Sequence, residues 1–274
     1  MSDGAAAVVA PFDAAAAAYD ATFTDTDLGR RLRSIAWSWM DRAFGPGDRV
    51  LELGCGTGVD AVHLADRGIA VVATDASREM CRIADTRVIT RDANDLVRVV
   101  ALDLDVVGEP GWAEVLGGAV DGVLSDFGAL NCVRDRPRLL RALGQVVRPG
   151  GRMVLVAMGP LCLTEIAWHV VHGERRVATR RWHAGARAAV GDGAAIRVWY
   201  PSARRVAREA APWFRVERRG GIGVVMPPSG LSEAMERRGG LLRALAPVER
   251  RLGGTRLGAW CGDHWVLELI RRDA

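Results

Sequence analysis

Residues 48–75 read DRVLELGCGTGVDAVHLADRGIAVVATD. This one stretch constrains the fold more than any other. A mostly apolar run at 50–53, interrupted by Glu52, passes through Gly54-Cys55-Gly56-Thr57-Gly58 into a helix-like segment. A second apolar run at 69–74 then ends on Asp75. Strand, glycine turn, helix, strand and acid in that order predict half of a nucleotide-binding α/β sheet. Glycine in such a turn admits positive φ and lets backbone approach a ligand that a Cβ would hold off. An acid closing the second strand is placed to accept hydrogen bonds from the two hydroxyls of a ribose, so an adenosine-type cofactor is expected.

A dinucleotide fingerprint requires G-x-G-x-x-G, its third glycine clearing the helix for a pyrophosphate. Here the glycines fall at 54, 56 and 58, and the sixth position is Val59, which disfavours a nicotinamide-dependent oxidoreductase. Glu52 stands two residues before the first glycine, where a carboxylate faces the turn and the cationic end of a ligand.

The remaining pattern predicts an alternating architecture. Residues 12–44 read as helical, with apolar residues at helical spacing (Leu32, Ile35, Ala36, Trp39, Met40), and Pro46-Gly47 closes that region. Further strands are expected at 98–102, 120–125 and 152–157, with helices at 77–87 and 137–147. This alternation predicts a parallel sheet covered on both faces. The second half departs from strict alternation. Helices are expected at 161–172 and 202–211, a hairpin or irregular arm at 180–198, a strand at 213–219, mostly helix at 227–258, and a last strand at 264–271.

Composition narrows the class. At 274 residues the chain is long enough for one well-buried core, and its charged fraction of 26% is ordinary for a globular protein. No apolar run approaches the ~18–20 residues of a membrane span, and residues 1–20 lack the pattern of a signal peptide. Five scattered cysteines without C-x-x-C spacing argue for free thiols in a reducing cytoplasm and against a zinc site. All 37 basic residues are arginine, and the net charge is only +4. The arginine clusters at 175–181, 204–208 and 215–219 are interleaved with helix and strand patterns, so they read as solvated faces rather than a nucleic-acid interface. The oligomeric state is not encoded in any pattern of this kind.

The run Glu52-Leu53-Gly54-Cys55-Gly56-Thr57-Gly58, with Asp75 one strand later, resembles the first motif of class I S-adenosylmethionine-dependent methyltransferases. The resemblance covers roughly residues 12–158 and, more loosely, the C-terminal strands. It implies an α/β, Rossmann-like seven-stranded sheet, mostly parallel, with an antiparallel last strand slotted beside the fifth. Helices would lie on both faces, with a helical cap and insertions over the C-terminal strand edge. Residues 1–45 would form the N-terminal helical cap and 46–274 the methyltransferase domain. Its two insertions, at about 159–201 and 226–262, start on the ligand-binding edge and would cover the substrate.

The same resemblance assigns roles to single residues. Gly54, Cys55, Gly56 and Gly58 would lie under the methionine portion of S-adenosyl-L-methionine, with Glu52 facing its amino group directly or through water. Asp75 would bind the ribose, and Ala76 and Met80 would flank the adenine. Asp103 would meet the exocyclic adenine amine with the Leu104 amide near the ring; Asp105 and Asp92 are alternatives. Ser125, Asp126 and Phe127 match the segment lining the sulfonium centre, and Tyr19 matches a tyrosine that reaches the methionine carboxylate. The product would be S-adenosyl-L-homocysteine.

Residues 125–131 read SDFGALN, without the Asn/Asp-Pro-Pro-Tyr/Phe segment typical of enzymes that methylate planar amino groups. The expected activity is therefore methyl transfer to a small molecule, on an O or N atom of a specialised metabolite. Alternatives are an RNA- or protein-modifying methyltransferase and a noncatalytic cofactor-binding subunit. An acceptor that must lose a proton benefits from a general base, and His264 and His169 are the candidates. Asp263 adjoins His264, although successive strand residues face opposite ways. Glu165, His169 and His172 share a helix face that either orients a base or is polar surface. His63 reads as structural. No compact acidic ligand set suggests a metal.

Overall fold

The computed structural model describes residues 3–191 and 194–273, with side chains described from residue 9 onward. Two helices come first, α1 (Asp3–Tyr19) and α2 (Asp27–Ala43), joined by one turn of π-helix at Asp20–Thr24. Then follow β1 (Arg49–Leu53), α3 (Val59–Ala65), β2 (Ala70–Asp75), α4 (Arg78–Thr90), β3 (Val97–Ala101) and β4 (Val120–Ser125). After these come α5 (Ala129–Cys132), α6 (Arg136–Val146), β5 (Val147–Met158), α7 (Leu163–Val171) and α8 (Arg175–Ala178). The chain continues through β6 (Ala186–Val190), β7 (Ala194–Val198), α9 (Ala203–Ala210) and β8 (Phe214–Ile222). It closes with α10 (Ser232–Met235), α11 (Gly239–Gly253), α12 (Gly258–Cys261) and β9 (His264–Arg271).

Seven strands form one sheet in the order β3-β2-β1-β4-β5-β9-β8, while β6 and β7 pair as a separate antiparallel ribbon. β1 through β5 are mutually parallel. β9 runs antiparallel to both its neighbours, β5 and β8, so β8 again points the same way as the first five. This is the expected doubly wound sheet. The reversed strand is an interior one, and all but its last residue are buried. The strand order reverses between β1 and β4, which opens a crevice beyond their carboxyl ends, the place where open α/β sheets bind ligands.

The period-2 alternation of the strands builds the two layers. Val50, Val71, Val154 and Val266 face a core with Leu32, Ala36 and Met40 of α2. Their neighbours Leu51, Val72, Leu155 and Leu267 face the opposite core with Leu140 and Leu143 of α6 and Val206 of α9. Truncating a fully buried leucine such as Leu51 to alanine would cost about 2–5 kcal/mol. Helix starts are locally specified: Thr26 caps α2 through the Gly29 amide (2.9 Å), and Ser77 caps α4 through the Met80 amide (3.1 Å).

The start of β5 and the end of β8 differ from the sequence expectation. β5 begins at Val147, not 152, because Val147 pairs with Val120 before the chain bulges through Pro149-Gly150-Gly151 and re-pairs from Arg152. β8 runs on to Ile222 through Gly220 and Gly221. A Cβ on Gly220 would fall 2.4 Å from the Gly253 carbonyl, and one on Gly221 2.1 Å from that of Gly258. Glycine here serves close approach and does not end the strand. The segment 227–258 is mostly helical, as expected, and consists of short 3-10 turns, α10 and α11. No helix among the described residues is long and apolar enough to cross a membrane.

Candidate active site

The glycine turn leaves β1 and curls under a cavity of about 730 Å³, within the size range of small-molecule sites. The amides of Gly54 and Cys55 both donate to the Thr74 carbonyl of β2 (2.7 and 2.8 Å), which fixes the turn against the neighbouring strand. At Gly54 (φ +71°) a Cβ would land 2.3 Å from the Ala129 Cβ, so this glycine serves packing. At Gly56 (φ +52°) a Cβ would meet no protein atom within 4 Å. It would project into open space beside the cavity, which is what a backbone cradle for a ligand requires.

Asp75 closes β2 at the cavity wall. Its Oδ2 accepts from the Gly56 amide and its Oδ1 from the Ser77 amide, both at 2.9 Å. Burial pushes this carboxyl up, and the same amides pull it back part of the way. Each oxygen keeps a further acceptor site, so the two hydroxyls of a ribose could be held together. Ala76, Met80, Asp103, Leu104 and Asp105 line the same end. Asp103 is turned by a bond from the Asp105 amide to its Oδ1 (2.9 Å). Asp92 sits in a left-handed turn after α4 and does not line the cavity.

At the other end lies a buried charged cluster. Arg33 of α2 is paired with Asp60, whose other oxygen accepts from Trp37 Nε1 at 2.7 Å. The Arg33 guanidinium lies 5.1 Å from the Phe127 ring centre and 5.7 Å from that of Phe23. Burial, then the Asp60 and Asp126 charges, push the Glu52 carboxyl well above its usual range. Asp126 is raised by burial and by Asp60. Glu52 Oε2, Asp126 Oδ2 and Ser125 Oγ are buried without a hydrogen-bond partner. Asp126 and Phe127 line the cavity, whereas Ser125 and Glu52 lie behind its wall. An ammonium or sulfonium group is the chemistry such unpaired carboxyl oxygens would accept. Phe127 adopts φ +37°, a strained backbone for a bulky residue.

The N-terminal helices cross over this crevice. Tyr19 lines the cavity, and burial pushes its phenol up to about 12. Tyr19, Phe23, Phe127 and His264 form a chain of edge contacts with ring centres 6.3, 5.2 and 5.1 Å apart in succession. Asp13 accepts from Ser77 Oγ at 2.5 Å and from the Glu79 amide at 3.2 Å, which pins α1 to the start of α4. Across from α1, the β6–β7 ribbon supplies Ile196 and Val198, which pack with Phe12, Cys132 and Met158 as an apolar wall. Asn131 bolts the ribbon's exit in place: its Nδ2 donates to the carbonyls of Met158 and Trp199 (3.0 and 2.7 Å), and its Oδ1 accepts from the Met158 amide. The second insertion adds Ser229, Ser232 and Glu233.

The candidate bases separate. His264 opens β9 at the cavity and is buried. Its Nδ1 lies 3.2 Å from Asp263 Oδ2. The strand alternation that would have parted these side chains does not apply, because Asp263 precedes the first residue of β9. His169 lies outside the cavity lining and pairs with Glu174 (2.5 Å). Glu165 does not orient it, being held instead by Arg180 and Arg181. His172 stacks on Trp168, and His63 stacks on Trp37 and bonds Asp41. Cys162, Glu165 and Asp263 bring potential ligand atoms within 4.8 Å of one another, but the Arg181 guanidinium contacts both acids and already supplies the cation.

Arg33, Asp60 and Phe23 were not singled out from the sequence. The available signal was Arg33 itself, an arginine on the apolar stripe Leu32–Ala36–Met40, which demands a buried carboxylate. Asp60 lies in the first turn after Gly58.

Residues 51–153 match the family model described as a methyltransferase domain. That stretch, from β1 into β5, is similar to a methyltransferase domain. A demethylmenaquinone methyltransferase of Mycobacterium marinum (strain ATCC BAA-535 / M) is 36% identical to it over 151 residues. That alignment covers 54% of this chain and 58% of the relative, so the chain matches little more than half of that protein's length. Among solved structures, the methyltransferase in a complex with the Haloferax volcanii Trm112 methyltransferase activator has a TM-score of 0.60 at 17% identity. It covers 97% of this chain and 98% of its own. The geranyl diphosphate C-methyltransferase of Streptomyces coelicolor A3(2), solved with Mg2+, geranyl diphosphate and S-adenosyl-L-homocysteine, has a TM-score of 0.56 at 17% identity. Coverage is 88% of this chain and 80% of that one. These solved structures thus share the fold over nearly the whole chain.

Proposed function

We propose that this chain is an S-adenosyl-L-methionine-dependent methyltransferase acting on a small molecule. The observation that carries this reading is Asp75 and the Gly56 cradle facing one cavity that the chain's own α1, β6–β7 ribbon and second insertion cover. S-adenosylmethionine would supply a methyl group activated on a sulfonium. Asp75 would hold the ribose, Ala76 and Met80 the adenine faces, and Asp103 and Leu104 the adenine edge. Gly54 to Gly58 would underlie the methionine portion, with Tyr19 toward its carboxylate, Asp126 toward its ammonium, and Glu52 acting from behind the wall through water. Residues 1–45 act as the cap, and 159–201 and 226–262 as the substrate-covering insertions.

The acceptor would lie between the ribbon and α1, beside Phe12, Cys132, Met158, Ile196 and Val198, so it carries an apolar body. Arg33 is the one arginine among the described lining residues, and it is committed to Asp60. A neutral or cationic acceptor therefore fits better than a phosphorylated one, and a covered cavity fits a metabolite better than RNA. The named relative, a methyltransferase of demethylmenaquinone, supports an apolar acceptor. An O or N atom is the proposed methyl acceptor, with His264 as the group that takes its proton. The buried thiols of Cys55 and Cys81 suit a reducing cytoplasm.

Calorimetric titration with S-adenosylhomocysteine tests the reading, with NADH as comparison. Micromolar binding of the first, about −8 kcal/mol, and none of the second is expected. Binding of NADH alone would overturn it. Screening apolar acceptors with labelled methyl donor then addresses the acceptor.

A further inference from the structure

At the mouth of β9 a chain of buried charges ends on His264. Asp263 and His264 are both buried, as are Arg181 and Glu165. Asp263 Oδ1 is paired with Arg181 at 2.5 Å, and the same guanidinium donates to the Asp263 carbonyl at 2.9 Å and bonds Glu165. Asp263 Oδ2 accepts from the Ser229 amide at 2.8 Å and lies 3.2 Å from His264 Nδ1. That contact falls outside hydrogen-bond geometry, so Nδ1 is buried with no hydrogen-bond partner among the described residues and Asp263 Oδ2 is the carboxylate oxygen beside it. The ring's Nε2 makes no hydrogen bond to the described residues, and the imidazole lines the cavity against the edge of Phe127.

We propose that Asp263 fixes His264 as the tautomer protonated on Nδ1, leaving Nε2 bare toward the cavity, and that Arg181 holds Asp263 in the pose that does so. His264 is then the catalytic residue, and Asp263 and Arg181 are positioning residues. Burial alone would raise the Asp263 carboxyl, but His264, Arg181 and the Ser229 amide hold it well below the usual carboxylate range. It therefore stays an acceptor, and an acceptor beside Nδ1 selects the Nδ1–H form. The contact is bent in the ligand-free protein, as catalytic hydrogen bonds often are before substrate tightens them.

The proposal rests on the methyltransferase reading for its chemical use. As the acceptor atom's lone pair forms the bond to the methyl carbon, the carbon–sulfur pair stays on sulfur. The acceptor's proton moves to His264 Nε2, and the resulting imidazolium faces the Asp263 carboxylate. The arrangement also couples two insertions to the chemistry. Arg181 comes from residues 159–201 and Ser229 from 226–262, so the base is aligned only where both segments are packed.

Imidazole tautomers are read directly from ring-nitrogen resonances in protein labelled with 15N-histidine, with His264 assigned by its loss in His264→Asn. Measured at a pH where the ring is neutral, wild-type protein is expected to show a bare Nε2 and a protonated Nδ1. In Asp263→Asn the side-chain amide can donate to Nδ1, and the proton is expected to move to Nε2; Asp263→Glu should restore the original form. An Nε2–H ring in the wild-type protein overturns the proposal without any variant having to fold. So does an unchanged tautomer in folded Asp263→Asn. Calorimetry with S-adenosylhomocysteine on the same samples keeps the two readings apart: Asp263→Asn should bind within about threefold of wild type. Loss of that binding in wild-type protein would sink the methyltransferase reading and leave the tautomer result standing.

Discussion

Asp20 Oδ1 accepts a hydrogen bond from Thr57 Oγ1 at 2.7 Å, so the π-helical turn that ends α1 is tied to the glycine loop beneath it. The other Asp20 oxygen pairs with Arg87 of α4, and Arg87 Nε donates to the Thr57 carbonyl at 2.8 Å. Roof and floor of the cavity thus share one carboxylate. Replacing Asp20 with alanine should raise the S-adenosylhomocysteine dissociation constant about tenfold, equivalent to ~1.4 kcal/mol, and expose α1 to limited proteolysis. Unchanged affinity would mean that α1 does not close over bound ligand.

Gly56 and Gly54 should separate binding from folding. Gly56→Ala places a methyl in open space, so its stability cost is only the ~1–2 kcal/mol of a left-handed non-glycine residue. The cofactor's room is lost, and affinity should fall by a hundredfold or more. Gly54→Ala drives a Cβ into Ala129 and should lower the melting temperature more than Gly56→Ala. Melting curves and calorimetry on both proteins decide this.

Asp75→Ala should weaken S-adenosylhomocysteine binding strongly while the protein still melts cooperatively. The carboxylate's own partners are two backbone amides at the cavity rim, where water can replace it. Affinity close to wild type would remove Asp75 from the ribose.

Arg33→Met leaves Asp60 buried beside Trp37 without its countercharge, and breaking such a pair costs about 3–5 kcal/mol. Adding Asp60→Asn should recover part of the loss. Denaturant unfolding of the two single variants and the double one measures the coupling.

The raised carboxyls set a pH dependence. Glu52 and Asp126 bind protons more tightly folded than unfolded, so stability is full below the unfolded-state values, about 4, and falls as pH rises toward the folded values. Asp263 works in the opposite sense: its stabilisation is present above about 4 and is lost in stronger acid. Glu52→Gln should flatten the fall in melting temperature on the alkaline side and leave the acid limb unchanged.

Much of this was legible in the chain because it is local. β1, the glycine turn, β2 and Asp75 follow within 28 residues, and the strand alternation of Val50/Leu51 or Val266/Leu267 names the two cores directly. The Arg33–Asp60 pair was not legible, since it joins residues on different helices and only folding shows which carboxylate meets the arginine. Glu165 looked like a partner for His169 on its own helix, yet Arg181, sixteen residues on, takes it. The Asp263–His264 contact was discounted by a rule for strands that fails one residue before the strand begins. The β6–β7 ribbon, rich in alanine and arginine, carries little apolar periodicity of its own and gains its apolar contacts only against Phe12, Cys132 and Met158.

β9 is the last strand along the chain but fills an interior slot, between β5 and β8. During synthesis β5 must wait with one edge open, and β8 with no sheet partner at all, until residues 264–271 leave the ribosome, a state prone to mispairing. The residue that completes the cavity, His264, arrives on the same strand that completes the sheet. A chain truncated before it would lack both His264 and the strand that joins β8 to the sheet, while the glycine loop and Asp75 would already have been made.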